Sequence, residues 1–206
     1  MESNIKDTYR TLKNPSEEIL YKDRKSKFYG YAFPLISEES VKPIIEGLRK
    51  KYHTAGHVCY AWQLGVGNIT YRTNDDGEPN NSSGMPIYGQ IKTFEVTNVL
   101  VAVPRIFGGV KLGVGGLIQA YKTTAQLTLE NSDIIEKILE TYFQLNFEYS
   151  EMDKVMRIIK QHNLKLTVQK MELQCEFQFS CRKSMENQVL DIFKKIHRVS
   201  IKKLNF

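Results

Sequence analysis

The chain has 206 residues, 41% of them hydrophobic and 25% charged, with 29 Lys and Arg against 23 Asp and Glu for a net charge of +6. That composition belongs to folded protein of about two domains and excludes a disordered chain. No apolar run reaches the ~18 residues of a membrane span, and the polar start from Met1 to Arg10 lacks the apolar centre of a signal peptide, so a cytoplasmic protein with no membrane partner is expected.

In chain order, residues 9–12, 19–21 and 26–33 predict strands. Ser37 is placed to cap a helix whose apolar stripe is Val41, Ile44, Ile45, Leu48 and Tyr52. Val58, Tyr60, Trp62 and Leu64 alternate as a strand, and 65–68 turns into a second strand at 69–73. Residues 74–84 carry no apolar side chain and predict a loop, after which Pro86 suits the start of a helix. The unbroken apolar run 99–103 predicts a strand buried on both faces. A glycine-rich segment follows, then a helix over about 117–129. This first part is α/β in character, and its strand order is not readable.

The second part is more regular. Leu139, Thr141, Phe143, Leu145 and Phe147 alternate with polar residues. Ser150 and Asp153 mark a helix start, with Val155, Ile158, Ile159 and His162 on one face. Leu164, Leu166 and Val168 alternate, as do Leu173, Cys175, Phe177, Phe179 and Cys181. Ser184 opens a helix with Val189, Ile192, Phe193 and Ile196 inward, and 199–204 is a last strand. The order β-α-β-β-α-β is that of a ferredoxin-like unit. Its outward positions, Glu140, Tyr142, Gln144, Lys165, Thr167, Gln174, Glu176 and Gln178, hold one aromatic residue, too few for the base-stacking sheet of an RRM. A polar docking face fits better. The expected fold is α+β, with domains over 1–131 and 132–206.

Three segments carry chemistry. Asp75, Asp76 and Glu78 lie within four residues of a turn-rich loop, suited to a cation or a general base, or to ordinary solvated turns. The stretch from Arg105 to Leu117 holds five glycines between a strand and a helix. Its amides can form an anion nest supplemented by Arg105 and Lys111, or the glycines can simply permit close packing. It matches neither nucleotide fingerprint. His53, His57 and Cys59 straddle a helix end and a strand, which seldom converge on one ion, so neither metal nor cofactor is expected. The three cysteines Cys59, Cys175 and Cys181 form no C-x-x-C and suit a reducing compartment.

The span from Lys25 to Tyr121 resembles the YigZ/IMPACT family. It carries K-S-K-F at 25–28, H-T-A-G-H-V-C-Y-A at 53–61, D-D-G-E-P at 75–79 followed by G-M-P-I at 84–87, and R-I-F-G-G-V-K-L-G-V-G-G-L-I-Q-A-Y at 105–121. The C-terminal unit is similar to the small domain appended in bacterial YigZ proteins. The resemblance implies a first domain like the second domain of a small-subunit ribosomal protein and a second like the ferredoxin-like domains of elongation factor G. It implies eukaryotic relatives that restrain a translation-control kinase, and bacterial ones for which nucleic-acid or ribosome binding is the usual proposal. Carried over by position, it implies a binding set of His53, His57, Asp75, Asp76, Glu78, Arg105, Gly108, Gly109, Lys111, Gly113, Gly115 and Gly116. Asn81 stands where the family commonly has glycine, Pro104 replaces a small polar residue, Ile106 replaces an aromatic one and Gln119 a basic one.

Two functions from different classes fit. The first is a non-enzymatic binding module of translation, with RNA, the ribosome or a translation-associated protein as partner. A basic face of Arg182, Lys183, Lys194, Lys195, Arg198, Lys202 and Lys203 would add salt-sensitive attraction, although such runs are also ordinary solvated helix faces. The alternative is a hydrolase or transferase acting on a phosphorylated or acyl small molecule. Asp76 or Glu78 would then be the base, His57 the acid, and Arg105 with the glycine loop the clamp. That alternative requires the two loops to face each other across one cleft. A protein-docking adaptor using the polar sheet face is a third, blander option.

Overall fold

The computed structural model describes residues 7–204. They divide into two compact units, 9–137 and 138–204 with 7–8. The division falls at 137/138 rather than 131/132, because 134–138 is not a linker. It forms a strand, β7 (Ile134–Ile138), that pairs with β1 (Thr8–Leu12), and Lys13 N–H donates to Asp133 O at 2.9 Å.

The first unit is built on a five-stranded sheet in the order β2 (Ile19–Asp23), β3 (Ser26–Pro34), β6 (Val99–Ile106), β4 (His57–Leu64), β5 (Thr70–Asn74), every neighbouring pair antiparallel. Helix α1 (Val41–Lys51) covers one face, packing Val41, Ile45 and Leu48 on Tyr31, Trp62 and Leu100. Helices α2 (Gly84–Thr93) and α3 (Gly113–Glu130) cover the other, packing Ile87, Ile91, Leu117 and Tyr121 on Phe28, Cys59 and Val101. The central strand β6 is buried from Val99 to Arg105, which is why its apolar run does not alternate. Helix α3 approaches β3 closely: a Cβ on Gly30 would lie 2.0 Å from Thr128 Oγ1. It also begins a turn earlier than its apolar stripe suggests, absorbing Gly113, Gly115 and Gly116.

The second unit runs β8 (Glu140–Glu148), α4 (Met152–Gln161), β9 (Lys165–Lys170), β10 (Gln174–Arg182), α5 (Glu186–Lys194), β11 (Val199–Leu204), with sheet order β11-β8-β10-β9 and antiparallel neighbours throughout. This is the ferredoxin-like arrangement. Thr141, Phe143, Leu145 and Phe147 are buried under the helices with Cys175, Phe177 and Phe179. The three expected serine caps are not formed. Ser37, Ser150 and Ser184 each lie at or inside a 3-10 turn that leads into its helix, and none makes a side-chain cap hydrogen bond. Ahead of α4 and α5 the turn's own carbonyl accepts the incoming amide, Met152 N–H on Tyr149 O and Glu186 N–H on Lys183 O. Ser184 Oγ instead donates to Asp7 Oδ2 at 2.7 Å. Among the described residues no helix is long and apolar enough to cross a membrane.

One surface cluster sets an acid sensitivity. Glu18 Oε2 accepts from Tyr31 at 2.5 Å, Tyr52 at 2.6 Å and Lys51 at 3.0 Å. The Tyr31 hydroxyl, followed by Tyr52 and Lys51, lowers the Glu18 pKa from 4.5 to about 2. A depressed folded value means stabilisation present above pH 4.5 and lost as the pH falls from 4.5 towards about 2. The urea midpoint followed by Trp62 fluorescence is expected to fall over that window and to fall less steeply in Glu18→Gln. An identical slope in the variant would exclude this cluster as a source of the acid sensitivity.

Candidate functional site

Strand register assembles the site. Phe28 on β3 and His57 on β4 are both direct cross-strand partners of Arg105 on β6. Side chains on one rung share a face, and this face is the one under α2 and α3, two residues from the Cys59 rung. Arg105 therefore enters the interior, where a lone guanidinium is unstable without a partner. Glu78 supplies it: Arg105 Nη1 donates to Glu78 Oε1 at 2.6 Å, with the two side chains 7% and 4% exposed. Tyr121 on α3 donates its hydroxyl to the same oxygen at 2.8 Å. The guanidinium lies 5.4 Å from the Phe28 ring and 5.6 Å from the Phe107 ring. The Cys59 thiol lies 3.2 Å from the Tyr121 hydroxyl and 3.1 Å from Asp75 O. Burial pushes its pKa up to about 12, so it is no nucleophile at neutral pH. Burial also raises the Tyr121 phenol, with Cys59 and Glu78 adding to it.

The loop between β5 and α2 brings Glu78 inward by using its other two carboxylates as ties. Asp75 Oδ1 accepts from Ser83 N at 3.0 Å, Ser83 Oγ at 2.6 Å and Gly84 N at 2.8 Å, and Oδ2 accepts from Asn81 N at 2.8 Å. Asp75 thus closes the loop on the first amides of α2. Burial opposes its ionisation, yet the hydrogen bonds from Ser83, Gly84 and Asn81 outweigh it and lower the pKa. Asp76 Oδ2 accepts from Val58 N at 2.6 Å, and its Oδ1 pairs with Arg49. Asp76 O accepts from His57 Nδ1 at 2.7 Å, which places a proton on Nδ1 and leaves Nε2 outside that bond. Asn81, where the resemblance implies a glycine, has φ of +61°, a left-handed backbone that Asn tolerates better than most residues.

Glu78, Pro79, Arg105, Lys111 and Gly113 line one cleft of about 490 Å³, together with His57, Phe107, Leu112, Val114 and Leu117. The two loops do face each other, the condition that the enzyme alternative required. Other expected residues lie elsewhere. His53 is exposed in the turn after α1 and does not line the cleft, and neither do Asp75 and Asp76. Gly108 serves close approach: a Cβ there would sit 2.0 Å from the Lys25 carbonyl carbon. Gly109 (φ +88°) and Gly113 (φ +74°) take left-handed turns, while Gly115 and Gly116 lie in the first turn of α3. Tyr121, Phe107 and Arg49 were not among the expected site residues. Tyr121 carries the one available signal, a hydroxyl within a buried apolar stripe, which needs an interior partner.

The expected basic face is not one surface. Arg182 pairs with Asp7 at 3.7 Å, Arg198 with Glu148 at 3.0 Å, Lys203 with Glu186 at 2.6 Å, and Lys183 also with Glu186. Lys194 and Lys195 are exposed at the end of α5, while Lys202 lies opposite Gln144 on the sheet face away from the helices. Three carboxylates, Asp7, Glu148 and Glu186, pair with four of the seven cations, and Lys202 lies on the sheet face opposite the helices, apart from Lys194 and Lys195 at the end of α5. Among the described residues no cluster of three or more His, Cys, Asp or Glu is placed to hold a metal ion.

The family model described as Impact N-terminal domain matches residues 24–129. The chain is 29% identical to the IMPACT family member YvyE of Bacillus subtilis, over 72% of this chain and 68% of that protein. It is 35% identical to a Protein IMPACT homolog of Schizosaccharomyces pombe, over 44% of this chain and 33% of that one. A crystal structure of a hypothetical protein matches with a TM-score of 0.67 and 21% identity, covering 98% of each chain, a likeness of fold.

Proposed function

The chain belongs to the Impact N-terminal domain family, and from that premise we propose that it is a non-enzymatic binding module in the regulation of translation, holding an anionic group in the cleft of its first unit. The family is linked to translation regulation. What supports binding over catalysis is one observation: Glu78, the one carboxylate that lines the cleft among the described residues, is held by Arg105 and Tyr121. Asp76 is tied to the Val58 amide and Arg49, and the Cys59 thiol is held in its protonated form. The cleft thus has a neutralised floor, a cationic rim at Lys111 and apolar walls, which suit recognition.

A second reading is favoured by the His57 geometry. Its Nδ1 donates to Asp76 O, so Nε2, on the rung of Arg105, would be the nitrogen that takes a proton. This would be an enzyme with His57 as base rather than acid.

Co-sedimentation with purified ribosomes at low and physiological salt separates the two. The binding module is expected to pellet at both, with the bound fraction reduced about tenfold or more by Lys111→Glu. Failure to pellet at either salt overturns the translation reading and leaves the His57 enzyme, whose test is turnover of acyl and phosphoryl substrates lost in His57→Ala.

A further inference from the structure

The chemistry of the cleft specifies its ligand more narrowly than an anion. Accepting the cleft as a binding site, as above, we propose that it takes a singly charged carboxylate joined to an apolar body, the head at the start of α3 and the body along Phe107, Val114 and Leu117.

Charge sets the head. Arg105 gives its charge to Glu78, leaving Lys111 as the Lys or Arg side chain of the cleft with no ion pair among the described residues. The second positive feature is the start of α3, an 18-residue helix opening on the cleft at Gly113 and Val114. Its first turn holds no acidic residue, and Leu112 at the cap makes no side-chain hydrogen bond. The first amides and about half a positive charge therefore remain on offer. A third feature is independent of the helix. Arg105 is 94% buried, judged from its 6% exposure, and its Nε finds no acceptor among the described residues, although it lines this cleft. One lysine and a helix start match one carboxylate, whereas a polyphosphate or nucleic-acid strand calls for several free cations.

Surface sets the body. Phe107 and Val114 are 53% and 54% exposed, and both line the cleft with Leu112, Leu117 and Pro79. Ile118, one helical turn beyond Val114, is also exposed at 39%. Apolar groups gathered at one concave site are what an apolar ligand covers. A head without a body would leave that surface wet.

The same chemistry comes from two sources, a free apolar carboxylic acid or the C-terminal end of a peptide with an apolar last residue. The test uses the full chain and 8-anilinonaphthalene-1-sulfonate, a singly charged anion on an apolar body, followed by its fluorescence. Saturable one-to-one binding is expected, weakened about tenfold or more by Lys111→Glu and by Val114→Glu, which sets a carboxylate in the first turn of α3. Both positions are exposed, so the fold is expected to persist, checked by an unchanged circular dichroism spectrum. Displacement by octanoate assigns a free acid, and displacement only by an N-acetylated peptide ending in leucine assigns a chain end. Acetate and inorganic phosphate, heads without bodies, are expected to displace the probe at least about tenfold less well. The proposal is overturned if binding is not saturable, if both variants bind as the parent does, if neither apolar carboxylate competes, or if phosphate competes equally well. Ribosome pelleting is measured separately, so loss of this ligand class with pelleting intact refutes the ligand alone.

Discussion

Glu78→Leu is expected to destabilise the first unit by about 3–5 kcal/mol, and Arg105→Met by a similar amount, because each leaves the other charge buried and unpaired. The pair is 2.6 Å apart with both side chains more than nine-tenths buried, so water cannot take over the role of the lost partner. The double variant Glu78→Leu with Arg105→Met is expected to be more stable than either single one, since an apolar pair of similar volume removes both desolvation costs. Recovery is expected to be partial. Tyr121 donates to Glu78, and its stranded hydroxyl costs about 1–3 kcal/mol until Tyr121→Phe is added. Urea unfolding followed by Trp62 fluorescence measures all of these. A double variant that loses the sum of the two single losses would show that the two charges do not interact, and would remove the ion pair as the element that holds the floor of the cleft.

Asp75→Ala is the second large effect, expected at about 3 kcal/mol, since one ionised carboxylate serves three backbone amides and a hydroxyl. Asp75→Asn is expected to lose roughly half of that, because one amide oxygen can keep the bonds made by Oδ1 while the NH2 group opposes the Asn81 amide. The pH dependence follows from the lowered pKa of Asp75. Its stabilisation is present above the ordinary carboxylate value of 3.8 and disappears as the pH falls through the lower folded value. At neutral pH the parent is therefore expected to exceed Asp75→Ala by the full amount, with the two converging in strong acid. A gap that stays constant down to pH 2 would show that the charge of Asp75 is irrelevant and that only the packing of the loop matters.

These two residues show why the role of the Asp-Asp-Gly-Glu-Pro loop was not legible in one dimension. The sequence presents three carboxylates of like chemistry within four positions. The backbone then turns left-handed at Asp76 (φ +46°) and Gly77 (φ +89°), so neighbouring side chains leave in different directions. Asp75 meets the start of α2, Asp76 meets β4 and α1, and Glu78 meets β6. Position along a chain orders side chains in a regular strand or helix, where the period is fixed, and fails in a turn, where it is not.

The same distinction runs through the molecule. Two-residue alternation at Thr141, Phe143, Leu145 and Phe147, and again at Cys175, Phe177 and Phe179, was enough to determine the ferredoxin-like unit, because one buried face imposes that period locally. The unbroken apolar run of β6 likewise announced a strand covered on both sides. The motifs at 53–61, 75–79 and 105–121 identified the family. Tertiary structure alone decided the sheet order β2-β3-β6-β4-β5 and the rung that joins Phe28, Arg105 and His57. It also decided which of the seven C-terminal cations are neutralised by Asp7, Glu148 and Glu186. The physical reason is range. Hydrophobic periodicity acts between residues a few positions apart, whereas strand pairing and the neutralisation of buried or clustered charge join groups that only the folded chain brings within a few ångströms.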